Sequence, residues 1–284
     1  MKNILSRTLV FFLLLPALLL IIIFLPFRNH LIFNILTLIV SAVSAFEVRK
    51  LFASSEQKRK SESFFLPVIA SFIPLLALLE VQSVVTAEVS VFLLIICTAV
   101  IFISQTTVKD KDAFPEISGT ISRYVMVLLY PGLFLSFLIR MTGFEHARII
   151  IITFILAVYL NDTIAYISGK LFGRGDRVIV AVSPKKSLVG FICGFLASPA
   201  LIYGSYRLFP EAFPFTAVGI IVMGLVIGIT TIFGDLVESA LKRGAMIKDS
   251  GQIIPGRGGL LDSIDSIALS APFFYFLYRL LPVS

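Results

Sequence analysis

Long apolar runs, broken by short polar connections, organise this chain. No charged residue falls between Leu9 and Phe27, and none between Val89 and Val108. Crossing a hydrocarbon core of about 30 Å takes about 20 apolar residues, at roughly 1.5 Å of helix per residue. Runs of this length therefore predict helices that span a bilayer. Along the whole chain the pattern predicts nine spans, at Thr8–Phe27, Leu31–Leu51, Phe64–Leu79, Glu88–Gln105, Ile121–Ile139, Arg148–Leu171, Leu188–Leu208, Phe215–Phe233 and Ile267–Leu281. The fold class expected is all-α, a polytopic integral membrane protein with about nine transmembrane helices. Residues 1–145 hold the first five spans, and residues 146–284 hold the last four with the richest polar connections. The connections are short, so no separate soluble domain is expected. The chain shows no internal repeat and no low-complexity tract.

Composition supports this reading. Hydrophobic residues make up 58% of the 284 and charged residues 14%, with a mean hydropathy of +1.00. A soluble domain has roughly 45–50% apolar and about 25% charged residues, so most of this surface is expected to face lipid. Lys2 and Arg7 before an apolar run resemble a secretory signal, but the run is too long and no small-x-small cleavage site closes it. It is expected to remain as a first span, and Pro16 is tolerable there. Cys97 and Cys193 both lie in apolar segments, which predicts packing roles and neither a disulfide framework nor a metal cluster.

The net charge of +7 does not point to nucleic acid, because the basic residues sit in the connections. With nine spans, Arg28, Arg140, Arg148, Arg207 and Arg279 fall on one side, and the other 19 of the 24 basic residues share the side of the N-terminus. Positive residues favour the cytoplasm. The expectation is an inner-membrane protein with a cytoplasmic N-terminus and an external C-terminus.

Two connections on the cytoplasmic side carry candidate chemistry. Asp162 lies near the end of the sixth span, where a carboxylate costs about 2.5–3.5 kcal/mol to insert and so needs a partner or a purpose. Tyr166 and Lys170 follow at helical spacing on the same face. Ser183-Pro184-Lys185-Lys186-Ser187 places two ammonium groups beside hydroxyls at the start of a helix, a combination that suits phosphate. The densest cluster runs from Gly234 to Ser266. Asp235 and Glu238 would share a helix face, and Lys242 follows Glu238 by four residues. Asp249 precedes Pro255-Gly256-Arg257-Gly258-Gly259, where three glycines permit close backbone approach to a ligand. Asp235, Asp262 and Asp265 are hard oxygen donors suited to Mg²⁺, and Lys242, Arg243, Lys248 and Arg257 suit a polyphosphate. Acid, base and glycine together fit metal-assisted transfer of a nucleotidyl group. The bland alternative, a self-paired polar loop, leaves the glycines unexplained.

The 27 residues from Ser239 to Asp265 resemble, without a gap, the signature S-x-apolar-K-R-x4-K-D-x-small-x2-apolar-P-x-H-G-G-apolar-x-D-R-apolar-D of the phosphatidate cytidylyltransferases, the CDP-diacylglycerol synthases. Arg257 replaces the usual His, and Ser263 the usual Arg. Asn161-Asp162-x-x-Ala165-Tyr166-x-x-Gly169 and Ser183-Pro184-Lys185-Lys186-Ser187 are similar to the family's other motifs, with Val189 where Glu usually follows. The motifs cover roughly residues 160–266, and the first 150 residues match only as a multi-span apolar region.

The resemblance implies a membrane enzyme that turns CTP and phosphatidic acid into CDP-diacylglycerol and diphosphate. It implies Mg²⁺, with or without a second cation, a homodimer, and a site open to cytoplasm and bilayer. On this reading Asp235 and Asp262 bind the cation, with Asp265 and Asp162 beside them. Lys185, Lys186, Lys248 and Arg257 hold phosphates, and Asp235, Asp262, Lys248 and Arg257 form the catalytic group. Ser183, Ser187, Tyr166, Lys242, Arg243, Asp249, Gly256, Gly258 and Gly259 complete the substrate site. Rival readings are a cation-coupled transporter, a related lipid kinase, a CDP-alcohol phosphotransferase and a non-catalytic scaffold. Ser266 and Ile267 after the second Asp do not continue the phosphotransferase pattern D-x2-D-G. A transporter would spread its polar residues over two related halves, whereas here they crowd into the C-terminal part.

Overall fold

The computed structural model of the protein describes residues 2–53, 65–109, 111–173, 180–184, 186–254 and 258–283, with the backbone alone for residues 2–12 and 113. Every element among the described residues is helical. Apart from short 3₁₀ helices at Lys111–Glu116 and Pro210–Ala212, they are in order α1 (Lys2–Phe24), α2 (Phe27–Ala53), α3 (Phe65–Val81), α4 (Ala87–Thr106), α5 (Ile117–Val127), a π-helical segment (Leu128–Phe134), α6 (Leu135–Met141), α7 (Ala147–Phe172), α8 (Leu188–Leu208), α9 (Ala217–Gly244) and α10 (Leu261–Leu280). Among the described residues, six helical stretches are long and apolar enough to cross a membrane, at Phe27–Phe52, Ala87–Thr106, Phe114–Met141, Ala147–Phe172, Leu188–Leu208 and Ala217–Gly244. The sequence pattern counts nine. Beside the six stand Leu13–Phe24, the part of the 23-residue α1 whose side chains are described, the shorter apolar helix Phe65–Val81, and α10, which opens on two aspartates.

Packing runs in chain order through the C-terminal part. α7 lies against α8, α8 against α9, and α9 against α10. α10 also touches α6 and the π-helical segment, which in turn pack on α2 and α3. Ring contacts tie α10 to α7, with Phe154 and Phe274 centred 5.0 Å apart, and to α6, with Phe137 and Tyr275 5.2 Å apart. The outer surface is apolar. On α4 only Ser90 and Ile101 are buried, while Phe92, Ile95 and Ile103 are exposed. An apolar belt of this extent fits contact with lipid rather than water. Cys97 and Cys193 are half-buried, and Cys97 packs against the core.

Two local features shape the interior. Pro131 has no amide hydrogen to give, and the helix from Phe114 to Met141 widens around it into the π-helical turn, which carries Tyr130 fully inward. Where α1 turns into α2, Arg28, Asn29 and His30 all have left-handed backbone angles. Asn29 donates to Val81 O at 3.0 Å and Gln82 to Arg28 O at 2.7 Å, so side chains from two segments hold that turn.

The structure redraws the polar connection expected from Gly234 to Ser266. α9 does not end at Phe233 but continues to Gly244, because Val237 and Leu241 keep an apolar stripe packed on the core. α10 begins at Leu261, so only residues 245–260 lie between the two helices. Asp235, Glu238 and Lys242 thus stand on one rigid helix, and Asp262 and Asp265 on another.

Candidate active site

α9 and α10 are cross-linked where they meet. Ser266 Oγ donates to Thr231 O at 3.0 Å, and Thr230 Oγ1 to Ser270 Oγ at 3.0 Å. Gly234 permits the approach, since a Cβ there would stand 2.6 Å from Ser266 Cα. This register brings Asp235, Glu238 and Asp265 together, and one carboxylate oxygen from each lies within 4.8 Å of the others. Glu238 is 1% exposed and Asp265 7%. Oε1 of Glu238 is buried with no hydrogen-bond partner among the described residues. Unpaired buried oxygens and crowded carboxylates are unfavourable, and a divalent cation with oxygen ligands would relieve both. The donor set therefore fits such an ion. Tyr130 supports the junction from the π-helical turn, its hydroxyl donating to Asp265 O at 3.2 Å and Gly234 O at 3.4 Å.

Two lysines flank the acidic group. Lys186, just before α8, forms an ion pair with Asp235. Lys242 lies between Glu238 Oε2 at 2.6 Å and Asp262 Oδ1 at 2.5 Å. The second Asp262 oxygen accepts from Ser250 N at 2.9 Å, Ser250 Oγ at 2.8 Å and Gly259 N at 2.6 Å. Asp262 precedes the apolar part of α10. Burial pushes its carboxyl up, but its hydrogen bonds with Glu238 and with Lys242, the Lys242 charge and the Gly259 amide outweigh that and hold it below the usual range. Glu238 completes the acidic group, while Asp262 stands across Lys242 and is committed to the loop.

The loop itself is pinched by two bonds between Ile254 and Gly258, at 2.9 and 3.1 Å. Gly258 has a φ of 120°, a conformation open to glycine and strained for other residues, and a Cβ there would lie 2.6 Å from Asp262 Oδ2. Gly256 and Arg257, like Lys185, lie outside the described residues.

The remaining predicted residues take other places. Ser187 caps α8, its hydroxyl accepting from Gly190 N at 3.0 Å. Ser183 sits in the turn before it, its amide donating to Val180 O at 3.1 Å. Asp162 is half-buried on α7. Tyr166 is exposed, with the Lys170 ammonium 5.9 Å from its ring centre. Arg243, Lys248 and Asp249 are exposed, and no bond joins them to the acidic group among the described residues. Sequence reasoning gave no site role to Glu238, Tyr130 or Glu47. The signal for Glu47 was a lone carboxylate inside an apolar run.

A family model described as the cytidylyltransferase family matches residues 5–281, nearly the whole chain. The chain belongs to the cytidylyltransferase family. The match covers α2 as well as α9 and α10, so the family relationship extends well beyond the motifs around residues 160–266. A phosphatidate cytidylyltransferase of Thermotoga maritima is 32% identical over 242 residues, covering 80% of this chain and 81% of that protein. One from Bacillus subtilis is 28% identical over 219 residues, covering 76% and 75%. An uncharacterised protein of Escherichia coli, YnbB, is 36% identical over 138 residues, 49% of this chain and 45% of that one.

Proposed function

We propose that this member of the cytidylyltransferase family transfers the cytidylyl group of CTP to phosphatidic acid at the membrane surface. A phosphate oxygen of the lipid attacks the α-phosphorus of CTP. The bond from that phosphorus to the oxygen bridging toward the β-phosphate breaks, and diphosphate leaves with the electron pair. The nucleophile is already anionic near neutral pH, so the protein's work is alignment and charge neutralisation. The observation that carries the reading is the group of half-buried Asp235 with buried Glu238 and Asp265, flanked by Lys186 and Lys242 at the joint of two apolar helices. The names of the Thermotoga and Bacillus relatives supply the substrates.

Asp235, Glu238 and Asp265 would hold Mg²⁺, which when bound supplies positive charge to the phosphates. Lys186 would bind phosphate oxygens, together with Lys185 and Arg257. Lys242 is held by two carboxylates and orders them. Asp262 fixes the loop that carries Gly258 and Gly259, which approach the nucleotide. On this proposal the shorter apolar helices and α10 also cross the membrane, giving nine crossings with the site on the cytoplasmic side. The acyl chains stay in lipid, and the enzyme works as a homodimer.

CTP labelled on either its α- or its γ-phosphorus tests the reaction with purified protein, Mg²⁺ and phosphatidic acid. Cytidylyl transfer puts the α-label into a chloroform-soluble product and leaves the γ-label in diphosphate. A γ-label in the lipid would mean a kinase, and no lipid label from either would reject the proposal.

A further inference from the structure

Glu47 lies on α2, more than 200 residues before the loop it contacts, and the proposed chemistry does not use it. It is 2% exposed. Its Oε1 accepts from the Leu260 amide at 3.0 Å, and its Oε2 from the Leu261 amide at 2.7 Å, across 213 and 214 residues of sequence. Leu261 opens α10, where the first four amides have no acceptor within the helix. A carboxylate there meets two such amides and sits at the positive end of the helix dipole. The preceding amide, of Gly259, donates to Asp262. Three successive amides are thus held by two carboxylates. The contact leaves no room for a side chain at Gly259, since a Cβ would overlap Ser250 Oγ and stand 2.8 Å from each Glu47 oxygen.

We infer that Glu47 is a positioning residue for cytidylyl transfer, clamping the backbone of residues 258–261 to α2 so that Asp262 and Asp265 face α9 in register. The clamp joins the N-terminal helices to the segment that would meet the nucleotide. Its carboxylate completes a helix start that the local sequence leaves open, because Leu260, at the N-cap, makes no side-chain cap bond. This inference rests on the proposed reaction and deepens it.

The test uses full-length protein in detergent, with Glu47→Gln and Glu47→Asp. Gln keeps the size but offers one acceptor for two amides, and Asp keeps the charge but shortens the reach. The readouts are thermal unfolding, kcat, KM for each substrate, and equilibrium binding of CTP with Mg²⁺. Residues that orient a site's ligands typically shift its affinity or activity roughly 10- to 100-fold, so KM and Kd for CTP should rise at least about tenfold while KM for phosphatidic acid moves less than about twofold. A purely structural role would instead reduce the folded fraction and leave both KM values of the folded protein unchanged, which would overturn the inference. If neither variant is recovered folded in detergent, wild type and both variants are compared in isolated membranes and judged by the same two outcomes. Should wild-type protein bind CTP without using phosphatidic acid, the reaction assignment fails. The Kd comparison still decides whether Glu47 positions the nucleotide site.

Discussion

Replacing Asp262 by asparagine tests whether this carboxylate is a structural hub. The side chains of Lys242 and Asp262 are 14% and 6% exposed, so solvent screens their pair little. The asparagine would have one acceptor and one amide donor in place of two acceptors. With its oxygen toward Ser250 and Gly259, it keeps three bonds in a weaker neutral form and turns an NH₂ group onto the Lys242 ammonium. Hydrogen bonds to charged groups contribute about 1.5–3 kcal/mol and neutral ones about half that. Loss of the Lys242 bond alone therefore costs about 2 kcal/mol, and weakening of the other three by about 1 kcal/mol each brings the total to about 5 kcal/mol. Glu238 still holds Lys242 at 2.6 Å, which avoids the larger penalty of a stranded buried charge. The assay is denaturant unfolding of the purified protein in mixed micelles, followed by CTP turnover. The folded-state pKa of Asp262 is depressed, so its contribution is complete above the unfolded carboxylate range and is lost as pH falls through the folded value. The gap between variant and wild type should accordingly close in acid. A variant within about 0.5 kcal/mol of wild type near neutral pH would refute the reasoning, because one neutral bond contributes at least that much.

Other substitutions separate the remaining roles. Arg140→Met leaves Glu80 partly buried without the guanidinium that now stands 3.0 Å away, and breaking such a pair costs about 3–5 kcal/mol, so expression of folded protein should fall sharply while Glu80→Gln in the same background restores part of it. Lys186→Met removes the cation beside Asp235 and should raise KM for CTP about tenfold with KM for phosphatidic acid little changed; equal changes in both would assign Lys186 to general electrostatics. Tyr130→Phe loses two long hydrogen bonds behind Asp265 and should destabilise the protein by about 1 kcal/mol in the same unfolding assay, with catalysis largely kept.

Much of the arrangement was legible in the chain before its helices were placed. Uncharged runs such as Val89–Val108 mark helices because a lipid-facing surface leaves no position for charge. The spacing of Asp235 and Glu238 reads correctly as one helix face, whereas Asp262 and Asp265, expected in the connection before the last span, lie in the first turns of α10. The end of α9 was less legible. Gly234 and Asp235 look like the start of a loop, whereas Val237 and Leu241 go on packing for two more turns. Which carboxylates meet was also hidden, since Glu238 and Asp265 join only through the register that Ser266 and Thr230 impose across two helices. Glu47 illustrates the same limit, as its partners are backbone amides that no side-chain pattern encodes. Lys185, Gly256 and Arg257 belong to the sequence motifs and lie outside the described residues.

Metal dependence tests the central claim most directly. Turnover of CTP with phosphatidic acid is measured across a Mg²⁺ titration for wild-type protein and for Glu238→Gln. Wild type should be silent in EDTA and saturate with Mg²⁺. Removing one of three carboxylate ligands should shift the midpoint upward by about tenfold or more, or abolish turnover. Turnover that survives EDTA, or a Glu238→Gln midpoint equal to wild type, would contradict an ion held by Asp235, Glu238 and Asp265.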